Sequence, residues 1–155
     1  MKKYGRILSP TRGGASSYPN QDQVIRFARE HEAALFFLYV TDISFLDRLA
    51  SPILVDVEQE LDEMGEFVLA MAQERAKRAG VEAQTLVRRG DFRTVLQEVI
   101  DENGIDLVIF GSPVEATGST TEEYLRSLAD DLQASQSIDS LILQHGEVSY
   151  QTAAE

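Results

Sequence analysis

The segment Ala34-Leu35-Phe36-Phe37-Leu38-Tyr39-Val40 is apolar at every position. A strand with one wet face alternates apolar and polar residues, so an unbroken run of this length is a strand covered on both faces. Ile105-Asp106-Leu107-Val108-Ile109-Phe110 repeats the pattern, and Arg6-Ile7-Leu8 and Ser140-Leu141-Ile142-Leu143 are shorter versions. Ala83-Gln84-Thr85-Leu86-Val87 is more polar and reads as a strand at the sheet edge. Segments with helical periodicity separate these runs, which is the signature of βαβ units. The expected fold class is α/β: a three-layer, doubly wound, five-stranded parallel sheet.

The intervening segments carry their own punctuation. Val24, Ile25, Phe27 and Ala28 give a short amphipathic helix that ends near Glu32. A less regular stretch, residues 43–52, precedes a long helix with Leu61, Met64, Val68 and Met71 on one stripe and Gly80 as its stop. The Met64, Phe67, Val68 and Met71 stripe is expected to face the core. Asp91 is an N-cap for the helix bearing Val95, Leu96, Val99 and Ile100, and Asn103-Gly104 ends that helix. Leu125, Leu128 and Leu132 mark the last helix. Residues 1–146 are expected to form a single domain, and 147–155 a polar C-terminal tail.

Charge and composition exclude several classes of partner. The chain has 26 acidic against 14 basic residues, a net charge of −12, which repels phosphate backbones and disfavours nucleic acid. Arg88-Arg89 is too small a positive spot to reverse that. The acidic run from Val57 to Glu66 is a solvated helix face. No apolar run is long enough for membrane insertion, and the N-terminal residues lack a signal-peptide core, so a cytoplasmic location is expected. With no cysteine, neither disulfides nor thiolate metal sites can form. The two histidines, His31 and His145, have no metal-ligand spacing and read as surface residues. No metal site is expected; Asp42 and Glu122-Glu123 could hold Mg²⁺ only beside a bound phosphate.

Several segments in order carry a family resemblance. Ile7-Leu8-Ser9-Pro10-Thr11-Arg12-Gly13-Gly14 resembles the opening I-L-V-P-V-D-G-S of universal stress proteins. Leu38-Tyr39-Val40-Thr41-Asp42 is similar to the L-H-V-V-D that ends strand two of that family. Gly90-Asp91-Phe92, then Ile105 through Ser112, resemble its G-D/N-P helix start and A-D-L-I-V-M-G-S strand. Gly118-Ser119 before Leu125-Arg126 is similar to G-S-x-x-x-x-V-L-R. The likeness spans residues 4–145. It implies strand order 3-2-1-4-5, with a crevice at the carboxyl ends where the order reverses.

ATP-binding members carry G-x2-G-x9-G-S/T after the fourth strand and an acidic residue after the first. Here Gly111 matches the first glycine, Val114 occupies the second position, and three residues separate Val114 from Gly118. Arg12 stands at the acidic position. A shorter loop offers fewer backbone amides to a polyphosphate, and Glu115 adds negative charge beside it.

Two functions follow from the resemblance. The first is a stand-alone universal stress protein: a non-catalytic, UspA-like stress-response regulator acting through homodimerisation and binding of a protein partner. Family members commonly pair through the last strand, which implies Leu141, Ile142 and Leu143 as the dimer interface. The alternative is an adenine-nucleotide sensor that binds ATP or AMP with Mg²⁺ and has at most slow ATPase activity. Its nucleotide-binding residues would be Arg12, Gly13, Val40, Gly111, Ser112, Gly118, Ser119 and Thr120. No catalytic residue is assigned.

Overall fold

The computed structural model describes residues 3–12, 17–41, 51–112 and 121–152, with the backbone alone for 51–56 and 58. In chain order the elements are β1 (Arg6–Pro10), α1 (Tyr18–His31), β2 (Ala34–Thr41), α2 (Ser51–Arg78) and β3 (Ala83–Arg89). Then come α3 (Phe92–Asn103), β4 (Leu107–Gly111), α4 (Glu122–Gln136), β5 (Asp139–Gln144) and β6 (Glu147–Gln151). The strands form one sheet in the order β3-β2-β1-β4-β5-β6. The first five are parallel in the expected order, and β6 is added antiparallel. None of the described helices is long and apolar enough to cross a membrane.

The unbroken apolar run of β2 is explained by two separate cores. Leu35 and Phe37 point into one core, shared with Val24, Ile25 and Ala28 of α1 and Leu69, Ala72 and Ala76 of α2. Phe36 and Leu38 point into the other, with Val95 and Leu96 of α3 and Leu125, Leu128 and Leu132 of α4. Each fully buried side chain of this size contributes about 1.5–3 kcal/mol, which ties both helical layers to the strand. β3 lies at the sheet edge, as its polarity predicts. The Asp91 carboxylate accepts a hydrogen bond from Thr94 N at 3.1 Å, and Gly104, with φ 60°, closes α3.

The face that α2 turns inward differs from the expectation. Met64, Phe67 and Met71 point to solvent, while Gly65, Leu69, Ala72 and Ala76 are buried. Small residues let the helix sit close to the sheet. A Cβ added to Gly65 would lie only 2.5 Å from Cδ1 of Tyr39, so the glycine makes room for that ring. The most hydrophobic stripe of α2 is thus not its core stripe.

The polar segment expected to be a tail also differs, because residues 147–151 are β6. A two-residue turn joins it to β5. His145 and Gly146 both have positive φ, 53° and 82°, as a type I′ hairpin requires. Histidine tolerates this region better than most side chains. Val148 then faces solvent and Tyr150 packs on the second core, so polar composition conceals a half-buried edge strand. Thr152 fastens its end, accepting from Ser140 N at 2.9 Å and donating its own N–H to Ser140 O at 3.1 Å.

Candidate functional site at the carboxyl edge of the sheet

β1 and β4 pair only at Ile7↔Leu107 and Leu8↔Val108. β1 goes on to pair with β2 as far as Pro10↔Leu38, and β4 with β5 as far as Gly111↔Leu143. The two central strands therefore part company beyond Leu8 and Val108, and a crevice opens where the strand order reverses. Ser9 and Ser112 are buried on its two sides. The first amide of each following loop still extends the sheet: Thr11 N donates to Leu38 O at 2.8 Å and Ser112 N to Leu143 O at 2.7 Å.

Of the expected nucleotide-binding residues, Arg12 lies exposed just beyond β1, and Gly111 and Ser112 lie at the end of β4. The fold thus brings these three to one edge. Val40 is on the same edge, on β2 opposite Arg88 of β3. Gly13, Gly118, Ser119 and Thr120, like Val114, fall outside the described residues. Leu141, Ile142 and Leu143 are not placed for the expected interface. All three are buried within the chain, and the outer edge of β5 is already hydrogen-bonded to β6.

The start of α4 bears directly on phosphate binding. The helix begins at Glu122, capped by the Thr121 hydroxyl, which accepts from Tyr124 N at 3.1 Å. Its first turn carries Glu122 and Glu123. Two carboxylates there already balance the positive end of the helix dipole. Glu122 is further held by Ser149 Oγ, which donates to it at 2.9 Å, and by Arg126 at 3.3 Å. A phosphate approaching this helix start would meet charge of its own sign.

Other residues shape the rim without any signal in the linear sequence. Asn20 lies over Gly111, with its Nδ2 3.2 Å from the position a Cβ would take, and its Oδ1 accepts from Gly146 N at 2.7 Å. It joins the first turn of α1 to the β5–β6 hairpin. At the β2–β3 side, buried Thr41 donates to Asp62 Oδ1 at 3.2 Å. Asp62 also accepts from Arg89 Nε at 2.8 Å. This cluster clamps α2 to the ends of two strands, and it gives Arg89 a structural partner.

The opposite, amino-terminal edge is tied together differently. The Tyr4 hydroxyl donates to the buried Asp139 carboxylate at 2.8 Å. Burial, then the Asp139 hydrogen bond and charge, push the Tyr4 phenol well above its ordinary range. His31 Nδ1 accepts from Tyr4 N at 3.1 Å, and its ring stacks on Phe27 with centroids 4.1 Å apart. An open groove of about 920 Å³ lies at this edge, between α1 and the end of α2, and includes Arg29, Glu74 and Lys77. It shares no residue with the crevice.

A parallel sheet with helices on both faces and a splayed reversal point defines a doubly wound α/β domain. The chain belongs to the universal stress protein family, whose family model matches residues 3–136. A universal stress protein of Methanocaldococcus jannaschii is 27% identical over 123 residues, covering 79% of this chain and 70% of that protein. A crystal structure of a family protein from Burkholderia pseudomallei is 25% identical with a TM-score of 0.67, covering 90% of this chain and 96% of that one. The crystal structure of a universal stress protein in complex with cAMP has a TM-score of 0.61 at 22% identity, covering 93% of this chain and 99% of that one. At that identity the last comparison bears on the fold alone.

Proposed function

We propose that this chain is a non-catalytic stress-response regulator that acts through its surfaces rather than through a bound triphosphate. The observation that carries this reading is the acidic start of α4, where Glu122 and Glu123 set two carboxylates in the first turn of the helix. The short segment between Gly111 and Gly118, with three residues after Val114 where the ATP-binding motif has nine, supports it. The apolar side chains that α2 exposes supply a surface suited to protein contact.

A thermal-shift titration with Mg-ATP, AMP and cAMP tests the proposal. A ligand at a hundred times its Kd adds about 2.7 kcal/mol. For a chain of this size that raises Tm by roughly 5–10 °C. The expected result is an unchanged Tm at millimolar nucleotide, and a concentration-dependent rise of several degrees refutes it.

The parting of β1 and β4 favours a second reading, because a crevice at a reversal point is where this architecture accepts ligands. The cAMP complex with the same fold adds to it. In that reading the Val40 backbone meets the base, and Gly111, Gly118 and Ser119 meet a phosphate. Gly118→Asp then abolishes any nucleotide-induced shift while leaving the unliganded Tm unchanged.

A further inference from the structure

The outward side of α2 carries two successive hollows of the kind into which a neighbouring helix sets its side chains, each framed by residues i, i+3, i+4 and i+7. Glu60, Glu63, Met64 and Phe67 frame the first, and Phe67, Ala70, Met71 and Glu74 the second. All of them are exposed, Met64 by 54%, Phe67 by 66% and Met71 by 42%. Phenylalanine and methionine are enriched in protein interfaces, and the flexible thioether adapts to the opposing surface.

The two hollows differ in charge. Glu60, Glu63 and, on the flank, Glu66 pair with no cation among the described residues, and Glu63 accepts from the neutral Gln59 side chain at 3.3 Å. Neighbouring charges are taken: Asp62 by Arg89, Arg75 by Asp22, and Glu74 by Arg78 at 3.3 Å. Lys77 lies further along the flank, beyond the second hollow. The first hollow is therefore apolar on one side and anionic on the other. The second is apolar and electrically balanced, and the small Ala70 leaves it wider.

We propose that this face docks an amphipathic helix of another protein, one that sets an arginine or lysine in the first hollow and a leucine-sized apolar side chain in the second. The inference rests on the reading that the protein works through its surfaces. In the first hollow the methylene stem of the cation lies along Met64 and Phe67 while its head reaches Glu60 and Glu63. The face of the Phe67 ring attracts the same charge. In the second, Phe67 and Met71 flank the aliphatic group beside Ala70, and no charge is left unpaired. The hollows repeat after about 10.5 Å along the axis, the heptad step of two packed helices. An acidic or neutral helix in the same place would strip water from Glu60 and Glu63 without pairing them. The net charge of −12 also steers a cationic segment toward the chain.

The chain has no tryptophan, so a peptide bearing one reports binding through its own fluorescence. The probe is a helical peptide of about 20 residues with leucine and lysine at heptad spacing, and its counterpart has glutamate in place of lysine. The full chain is expected to bind the leucine–lysine peptide at micromolar concentration and to ignore the leucine–glutamate one. Phe67→Ser, at an exposed position, is expected to weaken binding roughly thirtyfold with an unchanged circular-dichroism spectrum. Glu60→Gln with Glu63→Gln is expected to weaken it roughly fivefold. Glu30→Gln with Glu98→Gln, which removes the same charge from exposed sites on α1 and α3, is expected to leave it unchanged. Equal weakening by the two double variants would mean diffuse attraction to an acidic chain and overturns the proposal, as does binding indifferent to Phe67→Ser. Self-association, or retention on phosphatidylcholine vesicles, that Phe67→Ser abolishes while the peptide is ignored gives the face another occupant and overturns it too. Nucleotide-induced stabilisation would sink the functional reading above and leave the peptide docking standing; a chain that answers neither nucleotide nor peptide would do the reverse.

Discussion

Replacing Gly65 by alanine sets two known effects against each other. In a helix interior the change favours folding by about 0.8–1 kcal/mol, because glycine loses more backbone freedom than alanine. Here the new Cβ would lie 2.5 Å from Tyr39 Cδ1, 2.9 Å from Cγ and 3.0 Å from Cε1. Carbon atoms settle at about 3.5–4.0 Å, so the ring or the helix must shift by about 1 Å. Overpacking of this kind costs about 1–3 kcal/mol. The net expectation is a loss of about 1 kcal/mol, seen as a fall in Tm of about 2–4 °C. In a Tyr39→Ala background the obstacle is gone, and Gly65→Ala becomes stabilising by about 0.8–1 kcal/mol. Urea unfolding followed by far-UV circular dichroism, at one fixed protein concentration, measures all four chains. The coupling between the two sites is expected to be about 2 kcal/mol. Equal effects of Gly65→Ala in both backgrounds would refute the claim that Tyr39 sets the height of α2 above the sheet.

Two further perturbations probe the ends of the sheet. Tyr4→Phe removes a donor to a buried carboxylate and should cost about 1.5–3 kcal/mol at neutral pH. Burial, reinforced by Asp139, raises the folded Tyr4 pKa above its ordinary 10.0, so the unfolded chain releases this proton first as pH rises. That contribution is whole below about pH 10 and is lost above it, so the stability gap between wild type and Tyr4→Phe should narrow in alkali. A gap independent of pH from neutral to strongly alkaline counts against the assignment. Asn20→Ala deletes the acceptor for Gly146 N and should cost about 1 kcal/mol. Hydrogen exchange should quicken in β6 before the rest of the sheet, and uniform quickening would show that Asn20 does not anchor the hairpin.

Much of the fold was legible because burial on both faces leaves a plain mark. No polar residue interrupts β2 between Ala34 and Val40, and that run demands two helical layers. Asp91 and Gly104 were equally readable, since capping is a local matter settled within one turn. The inward face of α2 was not. Hydropathy ranks Met64, Phe67 and Met71 above Gly65, Ala72 and Ala76, yet close packing against a sheet favours the smaller set. β6 escaped because Glu147, Ser149 and Gln151 dilute its apolar content and His-Gly is an uncommon hairpin turn. At the crevice, Arg12, Gly111 and Ser112 fell where the order of motifs put them. Asn20 and the Thr41–Asp62–Arg89 cluster could not be foreseen, because their partners are far away along the chain.

The short hairpin after β5 has a consequence for how such a molecule assembles. A sheet that supplies its own last strand is finished inside one chain, so its maturation does not wait on meeting a neighbour. Folding then becomes independent of dilution.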